Sequence, residues 1–323
     1  LWFLTDRSTR AISPLSKITL PHYIEACIKE ASDESLDEAE TLASGNPDLK
    51  QSIAAAREAL ALRAAIRQAN DLAGSGKLAD AILVLDKLAA SASTNSPSYS
   101  QAFRARGILQ ARSGKQEAAR TDFAQAIACS AEDNWNWYQL GLLFSQSFDI
   151  NGYRNHCERM IARSRGNSDP AVLERVAKVC LLVPTGGVDS AEPARLATKA
   201  AELGEKQQWA VYFQLVKALA EYRLGNFSAA ADWAKKVIAK QGMFSLDVQA
   251  GSILAMAQYR LNNAEEARSS LATATLAAEK SLPKPDASDL GSSWHDVLIA
   301  RQLLKEAQAL VVQQAGGSSK LPP

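Results

Sequence analysis

The chain has 323 residues, of which 47% are hydrophobic but only 7% aromatic, and this mixture favours helices packed through small residues over a β-rich core. Its 36 basic and 35 acidic residues leave a net charge of +1, which argues against a nucleic-acid-binding protein. The sequence contains no apolar run of about 18 residues or more, so it predicts no direct insertion into a membrane.

Residues 1–20 predict two short extended runs on either side of a polar turn at residues 5–8. Trp2, followed by that turn and a proline-containing run, resembles the last strands of a WD40-type propeller blade, with Phe3 where that motif has Asp. We expect an N-terminal extension that is the remnant of such a blade, and a disordered or clipped arm is the alternative. Since the chain starts without an initiator Met or a signal-peptide pattern, we expect it to be a piece of a longer protein.

Residues 21–58 predict an N-terminal helical segment. Pro21 suits the first turn of one helix, and a second helix from about Ser35 combines a thin apolar stripe with an acidic, solvated face. The run Gly45-Asn46-Pro47 then breaks the chain before a long helix rich in Ala and Leu.

A repeat of 34 residues organises the middle of the chain. Gly141 follows Gly107 by that spacing, and Gly114 marks a turn after which Ala119 and Phe123 follow at helical spacing. A small residue inside a first helix, a turn, and then a second helix form the pattern of a paired-helix repeat. We place repeats near residues 60–93, 100–133, 134–167, 170–203, 207–243 and 247–280, and the copy at 170–203 is degenerate because Pro184 to Gly187 stretches its inter-helix turn.

This pattern resembles the tetratricopeptide repeat family. The resemblance implies an all-α fold, a right-handed α-solenoid of helix pairs over residues 59–312. In the last repeat Asn262 takes the turn position that glycine usually holds, and Asn tolerates the left-handed conformation required there. Residues 134–312 also resemble the C-terminal portion of large bacterial proteins that join a serine/threonine kinase or a WD40 propeller to such repeats.

The C-terminal part predicts a Pro/Ser/Asp linker over residues 281–293 and then one amphipathic helix over 294–312. A single terminal helix with a polar outer face suits the cap of a solenoid. Residues 313–323, rich in Gly, Ser and Pro, predict a disordered tail.

The residue pattern indicates no enzyme, no cofactor and no metal site. His156 is interpreted as a packed or half-exposed helix residue, and His22 and His295 as surface or cap residues, because none has a partner at catalytic spacing. The cysteines lack the spacing of metal ligands, so we interpret them as reduced and buried; they are Cys27, Cys129, Cys157 and Cys180.

The resemblance places the binding surface on the concave face, which the first helix of each repeat lines. Carrying the family's groove positions onto this sequence gives a set rich in Arg, Tyr and Trp, the residue types enriched at binding hot spots. The candidate partner-binding residues are Asn70, Arg104, Arg112, Trp135, Tyr138, Tyr212, Tyr222, Arg223, Tyr259 and Arg260. In the alternative, several tyrosines pack between repeats and the arginines are solvated.

These observations favour a non-enzymatic scaffold that binds a peptide or protein segment, and the arginines suggest an acidic one. The alternative is the regulatory or substrate-recruiting region of a larger bacterial signalling enzyme. Self-association is a further expectation, and we expect the chain in the cytoplasm.

Overall fold

The computed structural model describes residues 20–313 except 31, 44–45, 91–96, 148, 185–187, 241 and 243. The predicted propeller remnant, most of the linker before Tyr99 and the predicted C-terminal tail therefore lie outside the described residues. The chain divides into two compact units, residues 1–102 and 103–323, and each is considered by itself below. Every regular element within the described residues is helical.

The first unit contains four helices and a short 3-10 turn. The helices are α1 (Leu20–Glu30), α2 (Asp33–Leu42), α3 (Pro47–Gly74) and α4 (Leu78–Ala90), and the turn is Pro97–Tyr99. The predicted break at Gly45-Asn46-Pro47 is the start of α3, where the Asn46 side chain accepts hydrogen bonds from the backbone N–H groups of Asp48 and Leu49. Gly76 turns the chain between α3 and α4 with a φ of 79°.

The small core of the first unit joins α1, α2 and α3. Ile24, Cys27, Leu36 and Ile53 are buried in it. At its surface Arg57 donates hydrogen bonds to the carboxylates of Asp37 and Glu40, 2.6 and 2.8 Å away. Both carboxylates are well exposed, so these ion pairs contribute little to the free energy of unfolding.

The second unit begins within α5 and continues through eleven helices to residue 313. They are α5 (Ser100–Arg112), α6 (Gln116–Cys129), α7 (Asn134–Ser145), α8 (Ile150–Arg163), α9 (Pro170–Leu181), α10 (Ala191–Leu203), α11 (Ala210–Arg223), α12 (Phe227–Ile238), α13 (Phe244–Arg260), α14 (Ala264–Ser281) and α15 (Trp294–Gln313). In the predicted degenerate repeat, α9 and α10 start at Pro170 and Ala191.

The helices of the second unit are arranged as stacked pairs. Along one layer α7 contacts α9, α9 contacts α11, and α11 contacts α13, while the intervening helices each pack between successive members of that layer. This is an all-α solenoid of tetratricopeptide-like helix pairs, as the sequence predicts. Across the part of the chain that the structure describes, no helix combines the length and the apolar composition needed to cross a bilayer.

The repeated glycines allow neighbouring helices to approach closely. A Cβ atom at Gly141 would lie 2.7 Å from Val179 Cγ1 and 2.9 Å from His156 Cδ2. A larger residue at this position would therefore prevent α7 from packing against α8 and α9 as closely as it does. The turn position taken by Asn262 is also confirmed, because this residue has a φ of 64°.

The C-terminal helix α15 packs against α13 and α14, as a cap does, but it also contacts α7. Trp294 at its start is 1% exposed and stacks on Phe123 of α6, with ring centroids 6.2 Å apart. The four consecutive residues 297–300 are all buried, so protein surrounds the first half of this helix on every side. The predicted polar outer face is found only further along, where Lys305 and Gln308 are exposed.

We predict that Trp294→Ala lowers the free energy of unfolding by about 3–5 kcal/mol, because it empties a fully buried aromatic site. Chemical unfolding followed by circular dichroism measures this change. Trp209→Ala is the matched control, since Trp209 is 53% exposed and its removal should cost less than about 1 kcal/mol. Equal losses in the two variants would contradict the integral role of α15.

Candidate functional site

A pocket of about 290 Å³ opens among α7, α9, α11 and the start of α15. Aromatic residues come from α7, from α11 and from Trp209, which directly precedes α11. Charged residues come from α9 and α15. The polar and aromatic lining consists of Trp135, Tyr138, Glu174, Arg175, Lys178, Trp209, Tyr212, Phe213, His295 and Asp296. We refer to this site as the aromatic pocket.

The walls of the aromatic pocket are rings in edge-to-face contact. Trp135 meets Tyr138 at a centroid distance of 5.7 Å, and Trp209 meets Tyr212 at 5.9 Å. The imidazole of His295 lies 6.2 Å from Trp135. Trp135 is 38% exposed and Trp209 is 53% exposed, so two indoles present apolar surface to an incoming group while their neighbours hold them in place.

The floor of the pocket contains a buried ion pair between Lys178 and Glu174, which lie one helical turn apart on α9. Their side chains are only 5% and 7% exposed. Burial opposes the charge of Lys178, but the neighbouring carboxylate of Glu174 outweighs it and raises the pKa of the ammonium group above its usual value. Lys178 therefore stays protonated at neutral pH and does not act as a nucleophile.

Arg175 supports one wall of the pocket from behind. Its guanidinium lies over the Trp135 ring at 3.9 Å and donates a hydrogen bond of 2.5 Å to Asn134 Oδ1. Burial lowers the pKa of Arg175, but an arginine remains charged at neutral pH. The charged residues of the lining are thus two cations, Arg175 and Lys178, and two carboxylates, Glu174 and Asp296.

The titratable rings of the pocket are neutral. Burial raises the pKa of Tyr138 and of Tyr212, so both keep their hydroxyl protons at neutral pH. Burial lowers the pKa of His295, which leaves the imidazole uncharged. The prediction that His295 is a surface or cap residue was wrong, because the start of α15 lies against α7 and brings this side chain between aromatic rings.

The arginines predicted to anchor a partner are mostly paired within the chain. Arg112 donates two hydrogen bonds, of 3.0 and 2.7 Å, to the carboxylate of Asp289. Arg223 binds Glu306 in the same way at 2.5 and 2.7 Å. These two carboxylates come from the C-terminal segment of the same chain, and Arg104 is paired with Asp133 at 2.5 Å.

The remaining predicted residues are dispersed. Tyr222 is buried against Phe227, Tyr259 is half-buried, and Arg260 is exposed. Asn70 is exposed on α3 in the first unit. The aromatic pocket therefore brings together three of the predicted residues, which are Trp135, Tyr138 and Tyr212.

Sequence reasoning missed Trp209, the charged floor on α9 and the two residues from α15. One signal was present: Glu174 and Lys178 are four residues apart in a helix whose other residues, apart from Arg175, are apolar. An opposite charge pair at that spacing inside a buried helix indicates a site where the two side chains neutralise each other.

His156 is a packed residue, as predicted. It lies between the rings of Trp137 and Phe144, each 5.4 Å away, and its Nε2 is 2.8 Å from the Trp137 carbonyl oxygen. The prediction for the cysteines is also confirmed, since all four are free and buried. Among residues 20–313, outside the gaps given above, no group of three or more metal-ligating side chains is present.

The Arg223–Glu306 pair gives a testable measure of how α15 is held. We predict a coupling energy of at least about 1 kcal/mol in a double-mutant cycle of Arg223→Ala and Glu306→Ala, because this pair is bidentate and Arg223 is nearly buried. The matched control is the exposed pair Arg195–Glu192, for which the coupling should be below about 0.5 kcal/mol. A coupling for Arg223–Glu306 as small as that of the control would contradict the prediction.

His156 should make the stability of the protein depend on pH. Burial lowers its pKa to about 4, so the unfolded chain binds this proton more readily than the folded one. The free energy of unfolding is therefore unaffected above the ordinary histidine pKa near 6.5 and decreases as the pH falls towards about 4. We expect the decrease between pH 7 and pH 5 to be on the order of 1–2 kcal/mol. Urea unfolding at the two pH values measures it, and His156→Gln should reduce the difference. An NMR titration showing the His156 imidazole protonating near 6.5 would refute this.

No family model matches the chain, and no curated protein matches it in sequence. Solved structures of low identity are similar. Yeast Tom70 is 19% identical with a TM-score of 0.41 over 89% of this chain, which spans only 61% of Tom70. A tetratricopeptide repeat protein from Parabacteroides merdae is 17% identical with a TM-score of 0.48, over 88% of this chain and 99% of its own. NprR, solved in complex with its cognate peptide NprX, is 12% identical with a TM-score of 0.48, over 94% and 84%.

Proposed function

We propose that this protein is a non-enzymatic scaffold that binds a peptide or protein segment, and that the aromatic pocket is its anchoring site. The observation that carries the proposal is the pair of half-exposed indoles, Trp135 and Trp209, at the mouth of a pocket whose floor is buried. Tryptophan and tyrosine are the residues that most often dominate binding energy at protein interfaces. Here two of each are collected at one place.

The size and lining of the pocket support a side chain as its occupant. Its volume of about 290 Å³ lies at the lower limit of small-molecule sites, which measure roughly 300–1,000 Å³. His295 is neutral, with its Nε2 3.6 Å from the Asp296 carboxylate, and Lys178 is held protonated beside Glu174. The lining thus supports binding better than acid–base or nucleophilic chemistry.

The expected acidic partner segment receives less support than the aromatic anchor. An acidic segment at Arg112 or Arg223 would have to displace Asp289 or Glu306, each held through two hydrogen bonds. Binding at the aromatic pocket requires no such exchange. We therefore propose that aromatic contacts, and not the predicted arginines, provide most of the affinity.

The proposal is tested by an affinity pull-down from the native lysate, with the chain and its Trp135→Ala/Trp209→Ala double variant as baits. We expect the double variant to retain its helical circular dichroism spectrum and to lose at least about tenfold of the partner recovered by the unchanged chain, because removal of two hot-spot indoles costs more than about 1.4 kcal/mol of binding.

The matched control is Trp233→Ala/Leu276→Ala, which removes one indole and one 65%-exposed leucine from α12 and α14, outside the pocket lining. This control should recover the partner as the unchanged chain does. Recovery of every bound protein in equal amount by the double variant and the control would show that the pocket is not the binding site.

A further inference from the structure

We infer that the aromatic pocket selects an uncharged aromatic side chain from an extended segment of the partner. This inference rests on the proposed function and specifies the chemistry of the group that enters the site. It follows from three features of the pocket: its charge balance, the arrangement of charges relative to the rings, and the polar surface beside it.

The charges of the pocket lining cancel. Arg175 and Lys178 contribute two positive charges, Glu174 and Asp296 contribute two negative charges, and His295 is neutral. Each cation already has a partner: Lys178 is paired with Glu174, and Arg175 binds Asn134 and the Trp135 ring. A charged guest would lose its hydration, and the balanced lining offers no net charge that would compensate for this loss.

A cation, the usual guest of an aromatic cage, is further excluded by the two cations already present. Arg175 lies over the face of Trp135 at 3.9 Å, and the Lys178 ammonium lies over Tyr212 at 5.4 Å. A third cation would repel both, and the rings of Trp135 and Tyr212 already have a cation over them. An anion would instead meet Glu174 and Asp296, whose carboxylates are nearly buried.

An uncharged ring suits the remaining surface. Trp135 and Trp209 are the exposed members of two edge-to-face pairs, so a third ring can extend the same arrangement at either indole. A pocket of about 290 Å³ accepts one aromatic side chain but not a folded element. Burial of such a ring is favourable without any change in the protonation of the floor.

A second cavity of about 400 Å³ shares Tyr212 and Asp296 with the aromatic pocket. Its lining includes five hydroxyl groups, one from Tyr212 and four from serines, which can hydrogen-bond the polar backbone that would flank an inserted side chain. The serines are Ser245, Ser281, Ser292 and Ser293. The two cavities together fit an extended segment that inserts one ring into the aromatic pocket and places its next residues along the hydroxyl-lined cavity.

The experiment uses amino-acid amides as probes and the indole N–H signals of 15N-tryptophan-labelled full-length chain as the readout. The probes are N-acetyl-tryptophanamide, N-acetyl-phenylalaninamide, N-acetyl-lysinamide and N-acetyl-aspartamide. We expect the two aromatic probes to shift the signals of Trp135 and Trp209, but not Trp233, and to bind at least about tenfold more tightly than the charged probes. Their affinity should not fall between about 0.05 M and about 0.5 M salt, because no charge enters the pocket.

Two variants sharpen the test. Trp209→Ala should weaken the binding of the aromatic probes by about tenfold, and the matched variant Trp233→Ala should leave their affinity unchanged. Asp296→Asn gives the pocket a net positive charge and should shift the preference towards the aspartate probe by at least about threefold. If Asp296→Asn fails to fold, the comparison of Trp209→Ala with Trp233→Ala still decides whether the aromatic pocket is where the probes bind.

Several outcomes would overturn the inference. One is tighter binding of the lysine or aspartate probe than of the aromatic probes to the unchanged chain. Another is a concentration-dependent dimer, seen by light scattering and abolished by Trp209→Ala, which would mean that a second copy occupies the pocket. Absence of any aromatic-probe shift, with the pull-down partner still dependent on Trp135 and Trp209, would refute the aromatic selectivity but not the proposed function. Absence of both effects would refute the two together.

Discussion

The packing of α15 within the second unit is the constraint on which the site depends. Trp294 is enclosed against Phe123, and its neighbour His295 lies against two rings of α7. Further along, the Gln302 side chain donates a hydrogen bond of 3.1 Å to the Leu182 carbonyl at the end of α9. Contacts of α15 thereby join the C-terminal helix to α6, α7 and α9, and the aromatic pocket opens among α7, α9, α11 and α15.

This arrangement changes the role of the predicted groove arginines. In a repeat array with a free inner face, arginines at these positions would be available to a partner. Here Arg112 and Arg223 are bound by Asp289 and Glu306, which are separated from them by 177 and 83 residues in sequence. Bidentate pairs between charged groups are among the stronger hydrogen bonds in proteins. Arg112 and Arg223 therefore hold the C-terminal segment in place.

The repeat architecture could be predicted from the sequence because its causes are local. Gly107 and Gly141 each mark a position where one helix approaches the next, and Asn262 marks a left-handed turn. Each of these signals belongs to a single repeat. The return of α15 to α7 depends on contacts between residues that are far apart along the chain. A periodic pattern contains no information about such contacts, and His295 was accordingly assigned to the surface.

We infer that the contacts around the aromatic pocket also suit it to binding. The Lys178–Glu174 pair, the Arg175–Trp135 contact and the rings around His295 fix the floor and walls before any partner arrives. A partner then pays little conformational entropy on the side of this chain, and much of the apolar burial at Trp135 and Trp209 is available as affinity. Because the charges of the lining are balanced, we expect that affinity to depend on the shape and apolar surface of the guest, which would favour an aromatic side chain over a charged one.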